Sequence, residues 1–204
     1  MNYSNHINSI CETIISKNNN EEFYLNEKSI QMKLAFELWK KSNIEPQLEK
    51  CFDYNSKIKT YTDIFIITDD GQKIGIEIKF KTRKILGKRY VQQGAVTNGK
   101  LNSLKDIDRL SKLKKEDKIN VGYFVFITND YLYWKNPRKS KKTNSNMFGF
   151  EQGKKLNKIF PPPTWSSKTF SEQMDLCDIK TEKIDWIVDD KQNLDSFRYF
   201  IIEC

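Results

Sequence analysis

Two apolar rhythms alternate along this chain, one with the period of a helix and one with that of a strand. Ile7, Ile10, Cys11, Ile14 and Ile15 recur at helical spacing and predict an amphipathic N-terminal helix over residues 4–17, ended by Asn18-Asn19-Asn20. A second helix is predicted from an Asn26 N-cap to Lys41, with a buried stripe of Ile30 or Gln31, then Leu34, Leu38 and Trp39. The period then falls to two. Residues 47–54 read as a first strand, and residues 63–68 and 73–80, rich in β-branched and aromatic side chains, as two more. Ser103-Leu-Lys-Asp106 offers a capping-box start to a third helix carrying Leu104, Ile107, Leu110 and Leu113. Val121–Thr128 is nearly uninterrupted apolar sequence, as expected of a strand buried on both faces. Residues 184–188 and 197–202 add late strands that extend the sheet or pair with each other.

The second and third strands are joined by Asp69-Asp70-Gly71, which fits a three-residue hairpin loop with Gly71 in the left-handed position of a bulge. That loop sets the register. With Thr68 facing Gln72, Asp63 lies opposite Glu77, and opposed residues share a face. Lys79, two residues on, points the same way. Two carboxylates and an ammonium thus converge at the open end of the hairpin. Carboxylates one strand spacing apart can share a hard cation such as Mg²⁺, which prefers oxygen ligands and keeps several waters. The same triplet also suits a solvent-facing hairpin that needs no ligand.

Asp-x13-Glu-x-Lys across a β-hairpin resembles the PD-(D/E)XK nuclease superfamily, the fold of many restriction enzymes. Thr62-Asp63 stands where that family often has Pro-Asp, and Glu77-Ile78-Lys79 stands for its (D/E)-x-K. The order helix–strand–strand–strand–helix–strand over residues 26–129 is similar to the family's core. The resemblance implies an α/β fold with a restriction-endonuclease-like core, a mixed sheet flanked by helices, to which the late strands are C-terminal additions. The length fits one domain over residues 1–204, with the N-terminal helix before the core and residues 130–204 as an elaboration. The resemblance also implies a Mg²⁺-dependent deoxyribonuclease, with Mn²⁺ able to substitute, serving restriction, defence or DNA processing. Asp63 and Glu77 would hold the metal with the carbonyl of Ile78, and Lys79 would position the attacking water. In several such families a helix before the hairpin supplies a glutamate to the site, a part open to Glu27. Glu27 and Gln31 share a face with Leu34 and Leu38, where they either sit at the rim of the core or line a pocket. A first-turn glutamate is also favoured by the helix dipole alone.

Composition narrows the chemistry. A single histidine, His6, leaves no material for histidine-dependent nucleases, Ser-His-Asp hydrolases or His-rich zinc sites. Neither a GxxxxGK[ST] loop nor GxGxxG occurs. Cys11, Cys51, Cys177 and Cys204 are far apart and read as reduced cytoplasmic thiols. No apolar run approaches a membrane span and no signal region opens the chain, so no membrane partner is expected. The formal charge of +8 invites a polyanion. Lysine abundance by itself can follow from an AT-rich genome, so the distribution matters more. Residues 73–118 carry 14 basic against 5 acidic side chains, whereas 169–204 carry 4 against 9.

The basic excess gathers beside the candidate site. Residues 83–100 read as an exposed, mobile basic segment, and Lys81, Arg83, Lys84, Lys88 and Arg89 are the expected contacts to DNA phosphates. Tyr131, Tyr133 and Trp134 precede Lys135, Arg138, Lys139, Lys141 and Lys142. They could stack bases while the lysines track phosphates, or form the edge of a solvated loop. Pro161-Pro162-Pro163-Thr-Trp165 should be extended at the surface. A homodimer stays open. So do two other readings: a nuclease-like fold that binds nucleic acid or a protein without cutting, and an unrelated α/β protein with a charged hairpin.

Overall fold

A computed structural model describes residues 2–21, 24–53, 59–135, 149–156, 158–159, 174–175, 183–188 and 193–204. The predicted clusters at Arg138–Lys142 and Pro161–Trp165, Tyr54 and Cys177 lie outside these residues. Helices α1 (Tyr3–Glu21) and α2 (Glu27–Ser42) come first. Strands β1 (Gln47–Cys51), β2 (Tyr61–Ile67) and β3 (Lys73–Lys81) follow, then α3 (Val96–Lys115) and β4 (Val121–Thr128). The short strands β5 (Lys158–Ile159), β6 (Met174–Asp175) and β7 (Ile187–Val188) precede β8 (Arg198–Glu203). Six strands form one mixed sheet in the order β1-β2-β3-β4-β8-β7, and β5 pairs with β6 separately. Only β3 and β4 run parallel in the large sheet, joined through α3. The protein is therefore α/β, with helices on both faces of a mixed sheet.

Strand alternation divides the core in two. Ile64 and Ile66 of β2, Ile74, Ile76, Ile78 and Phe80 of β3, and Val125 and Ile127 of β4 pack against α1 and α2. Phe65, Phe124, Phe126 and Phe200 face the other way, against Leu104, Ile107 and Leu110 of α3. β4 contributes to both, as its uninterrupted apolar sequence requires. The late strands do both things left open by the pattern: β8 pairs with β4, and β7 pairs with β8.

The hairpin has the expected loop and register. Thr68 N–H donates to Gln72 O at 2.9 Å, Gly71 N–H donates to Thr68 O at 2.8 Å, and Gly71 sits at φ +80°. Only glycine takes that conformation without steric cost. The ladder runs Ile67↔Lys73 to Ile64↔Ile76, and one further step sets Asp63 against Glu77.

Four expectations are corrected. The three asparagines do not end α1, which contains them and runs on to Glu21. The buried Asn18 side chain clasps Tyr24 through its N–H at 2.7 Å and its carbonyl at 3.1 Å, and Asn19 accepts from Phe197 N–H at 2.6 Å. Trp39 is not in the α2 stripe; Ile30, Gln31, Leu34, Ala35 and Leu38 are, and Trp39 lies exposed against Phe36. The first strand stops at Cys51. Finally, α3 begins at Val96, so Ser103 is not a cap: it lies within the helix, where its hydroxyl donates to Gly99 O at 2.8 Å. Gly99 favours a loop by propensity, but here its small size serves packing, since a Cβ there would fall 2.0 Å from the Tyr133 hydroxyl.

Candidate active site

The hairpin parts where its charged residues begin. Beyond Ile64↔Ile76 the β2–β3 ladder stops, and Ile78 N–H donates instead to Asp63 Oδ2 at 2.7 Å. One pleat further, Phe80 N–H donates to Glu27 Oε2 at 3.0 Å. Two main-chain donors on one edge of β3 are thus received by carboxylates, one from β2 and one from the first turn of α2. The other side of β2 is interrupted at the same level. Glu49, the residue of β1 opposite Asp63, takes a left-handed φ of +51° and is absent from the ladder. The buried Gln31 side chain fills the gap, donating to Asp63 O at 2.6 Å and to Glu49 Oε1 at 3.0 Å. Lys28 donates to Gln31 Oε1 at 3.1 Å and pairs with Glu49. Non-glycine residues held at positive φ recur at functional sites, where surrounding contacts offset the strain.

The wedge opens into a cavity of about 420 Å³ lined by Asp63, Glu77 and Lys79, and by Glu49, Asp106 and Arg109. The sequence places the first three there through the hairpin register. Glu27 reaches the group from α2: its Oε1 lies 3.7 Å from Lys79 Nζ. Asp106 and Arg109, on the polar side of α3, join the site without being marked by the sequence pattern. Lys79 Nζ pairs with Asp106 Oδ2 at 3.0 Å, and Arg109 Nη2 with Asp106 Oδ1 at 2.8 Å. Arg109 also forks onto Glu77, Nη2 to Oε2 at 2.7 Å and Nε to Oε1 at 3.1 Å. One signal could have found it: in a chain of 30 Lys and only 5 Arg, an arginine three residues from an aspartate on a helix stands out.

Burial dominates the electrostatics. It pushes the Glu77 carboxyl up to about 8, against the pull of Arg109 and with the help of Asp63 and Asp106. It pushes Asp63 up to about 6, opposed by the Ile78 N–H and reinforced by Glu27. Burial would lower the Lys79 ammonium, but Asp106 and Glu27 outweigh it and hold the amine above its ordinary value. Lys79 is therefore a charged donor at neutral pH, suited to orienting a water and offsetting negative charge.

Glu27, Asp63, Glu77 and Asp106 set four carboxyl groups against Lys79 and Arg109, and Glu49 and Lys59 also line the cavity. Among the described residues no three His, Cys, Asp or Glu side chains gather closely enough to enclose a metal. A cation between Asp63 and Glu77 would accordingly take water for much of its shell, as Mg²⁺ does. That donor set of hard oxygens fits the ion.

The predicted DNA contacts divide. Lys84, Lys88 and Arg89 are exposed on the segment leaving β3, and Lys81 is half-buried. Arg83 is engaged within the protein, 3.4 Å from Asp195 and stacked over Tyr131 with its guanidinium 4.7 Å from the ring centre. The segment is not a loose loop along its length. Tyr90 is buried and meets Phe197 edge-on at 4.9 Å, Thr82 Oγ1 donates to Val91 O at 2.6 Å, and the buried Lys100 belongs to α3. Tyr133 and Trp134 are buried with Phe126 and Trp186, so they offer no face to a base. His6 is half-buried on α1, Cys11, Cys51 and Cys204 are buried thiols, and no described helix is long and apolar enough to cross a membrane. Compared with family models, curated proteins and solved structures, the chain matches none.

Proposed function

We propose that the chain is a divalent-metal-dependent deoxyribonuclease with a PD-(D/E)XK-type core. One observation carries the reading: Asp63, Glu77 and Lys79 line one cavity at the point where the β2–β3 ladder breaks, with Glu27 delivered to Lys79 from the preceding helix. The element order α2-β1-β2-β3-α3-β4 and the parallel β3–β4 pair support it. Asp63 and Glu77 are the residues that would hold the cation, with the carbonyl of Ile78 as the third protein ligand implied by the family resemblance. When bound, a hard divalent ion polarises a phosphodiester oxygen and lowers the pKa of a bound water. The protein's own contribution is orientation. Gln31 and Ile78 N–H fix Asp63 by main-chain and side-chain contacts. Asp106 and Glu27 keep the Lys79 ammonium charged and aimed into the cavity, where it orients the attacking water and offsets charge at phosphorus. Lys81, Lys84, Lys88 and Arg89 supply sequence-independent attraction for the DNA backbone, and the scarcity of arginine disfavours extensive guanine readout.

A second reading, a nuclease-like protein that binds nucleic acid or a protein partner without cutting, draws on Arg109: its guanidinium already satisfies both oxygens of Glu77. Incubation with plasmid and linear DNA separates the two. Cleavage in Mg²⁺ or Mn²⁺ that EDTA stops supports the enzyme; salt-dependent binding without cleavage under any of these conditions supports the second reading.

A further inference from the structure

Arg109 stands where a cation has work to do. A divalent ion held by Asp63 and Glu77 needs at least one Glu77 oxygen, and both now accept from the guanidinium, at 2.7 and 3.1 Å. Such a fork is among the stronger polar contacts a carboxylate makes. A guanidinium and a divalent ion on one carboxylate also repel each other. We propose that Arg109 is an internal stand-in for the metal: it occupies both oxygens of the buried Glu77 in the metal-free protein and gives up that carboxyl group when a divalent cation enters. The proposal rests on the reading of Asp63 and Glu77 as metal ligands.

The surroundings suit an exchange rather than a fixed pair. Glu77 is buried in the strand, its side chain only 3 % exposed, so it cannot turn away to meet an ion elsewhere. The Arg109 side chain is 32 % exposed and lines the cavity mouth, so the guanidinium has somewhere to go. It also keeps a tether. Its contact with Asp106 at 2.8 Å spans three residues of the same helix and need not break when Glu77 is released. Asp106 in turn holds Lys79. Arrival of the cation would thus be felt by Lys79 through Asp106, and Arg109 would be left on the cavity wall, facing whatever anion enters. Arg109 is by this account a positioning residue whose partner changes with the state of the site.

The test is Mn²⁺ binding by calorimetry to the full chain and to Arg109→Gln, with urea unfolding of each in EDTA and in saturating Mn²⁺. Removing the competitor should tighten Mn²⁺ binding by about tenfold or more, since charge-assisted bonds to Glu77 no longer oppose entry. In EDTA the variant's urea midpoint should fall below that of the unaltered protein, because a buried carboxylate is left without its partner. Saturating Mn²⁺ should bring the two midpoints together, a rescue that a purely structural ion pair would not show. Should Arg109→Gln not fold, Arg109→Lys keeps the charge without the fork and should bind Mn²⁺ more tightly than the unaltered protein. Unchanged or weaker binding in the variant that folds, with the unaltered protein binding Mn²⁺ normally, overturns the role of Arg109 and leaves the metal site standing. Absence of Mn²⁺ binding by every form overturns the metal site and this inference with it.

Discussion

The face of the sheet turned toward α3 has two unlike halves. Under β4 and β8 it is aromatic: Phe126 and Phe200 lie stacked at 5.4 Å, with Phe124, Phe150 and Trp186 packed around them. Under β2 and β3 the same face carries Asp63, Glu77 and Lys79. One helix covers both, meeting the first half with Leu104, Ile107 and Leu110 and the second with Asp106 and Arg109. The first half is held by area removed from water, which is non-directional and tolerates repacking. The second depends on each charge having its partner, because an unpaired buried charge costs several kcal/mol. The aromatic layer is interrupted on β2 and β3, and the charged residues gather at that interruption.

Lys79→Ala should reduce metal-dependent DNA cleavage by about 10²–10⁴-fold, the range for removal of a group acting directly at the reacting centre. DNA affinity, measured by anisotropy in Ca²⁺, should barely change, since one charge adds little to a broad basic surface. An equally large drop in affinity would assign Lys79 to binding rather than chemistry. By contrast, Phe126→Ala on the aromatic half should cost about 3–5 kcal/mol of stability in urea denaturation. In whatever fraction stays folded, cleavage should be unaltered.

How far each half was legible follows from the range of the interactions that build it. The hairpin was readable because Asp69-Asp70-Gly71 fixes register locally, and register alone puts Asp63, Glu77 and Lys79 on one face. The Asn26 cap and the uninterrupted β4 were readable for the same reason. What escaped was set by distant partners. Gly99 leaves room for the Tyr133 hydroxyl, thirty-four residues later in the chain, so a residue that favours loops sits inside a packed helix. Asp106 and Arg109 escaped because their contacts come from how α3 packs on β3, and the one local signal was a rare arginine three residues from an aspartate. Tyr133 and Trp134 looked like stacking platforms, but they belong to the aromatic cluster of Phe126, Phe150 and Trp186, residues far from them in the chain.

The folded pKa values of Asp63 and Glu77, about 6 and about 8, lie above the ordinary carboxylate values near 4. The fold therefore binds more protons than the unfolded chain between about pH 4 and 8, and stability from this pair is present at low pH and lost as pH rises through that window. In EDTA the urea midpoint should fall from pH 5 to pH 8. Mg²⁺ should reverse the fall, with a stabilisation that grows with pH because the ion displaces protons. Calorimetry in two buffers of different ionisation enthalpy at pH 7 should show proton release on Mg²⁺ binding. Asp63→Asn, which keeps the acceptor for Ile78 N–H but removes the charge, should flatten the pH dependence without lowering the midpoint at pH 8. A midpoint in EDTA that rises from pH 5 to pH 8 would mean that the charged half is fully compensated by Arg109 and Lys79 without a cation.

The smallest expected effect lies outside both halves, on the segment leaving β3. Lys84, Lys88 and Arg89 are exposed there, while Arg83 in the same stretch is held by Asp195 and Tyr131. Replacing the three together by Ala should weaken duplex binding and flatten the dependence of affinity on salt by up to about 0.9 for each DNA phosphate that is no longer neutralised. Cleavage should recover at high protein concentration, because the chemistry at Lys79 is untouched. Arg83→Ala should do less to the salt slope than Lys84→Ala, since the Arg83 charge is already met by Asp195 and Tyr131, and more to stability. If the triple variant leaves the slope unchanged, the concentration of lysines after the hairpin reflects composition rather than a path for DNA, and Lys59, which lines the cavity, becomes the basic residue to replace next.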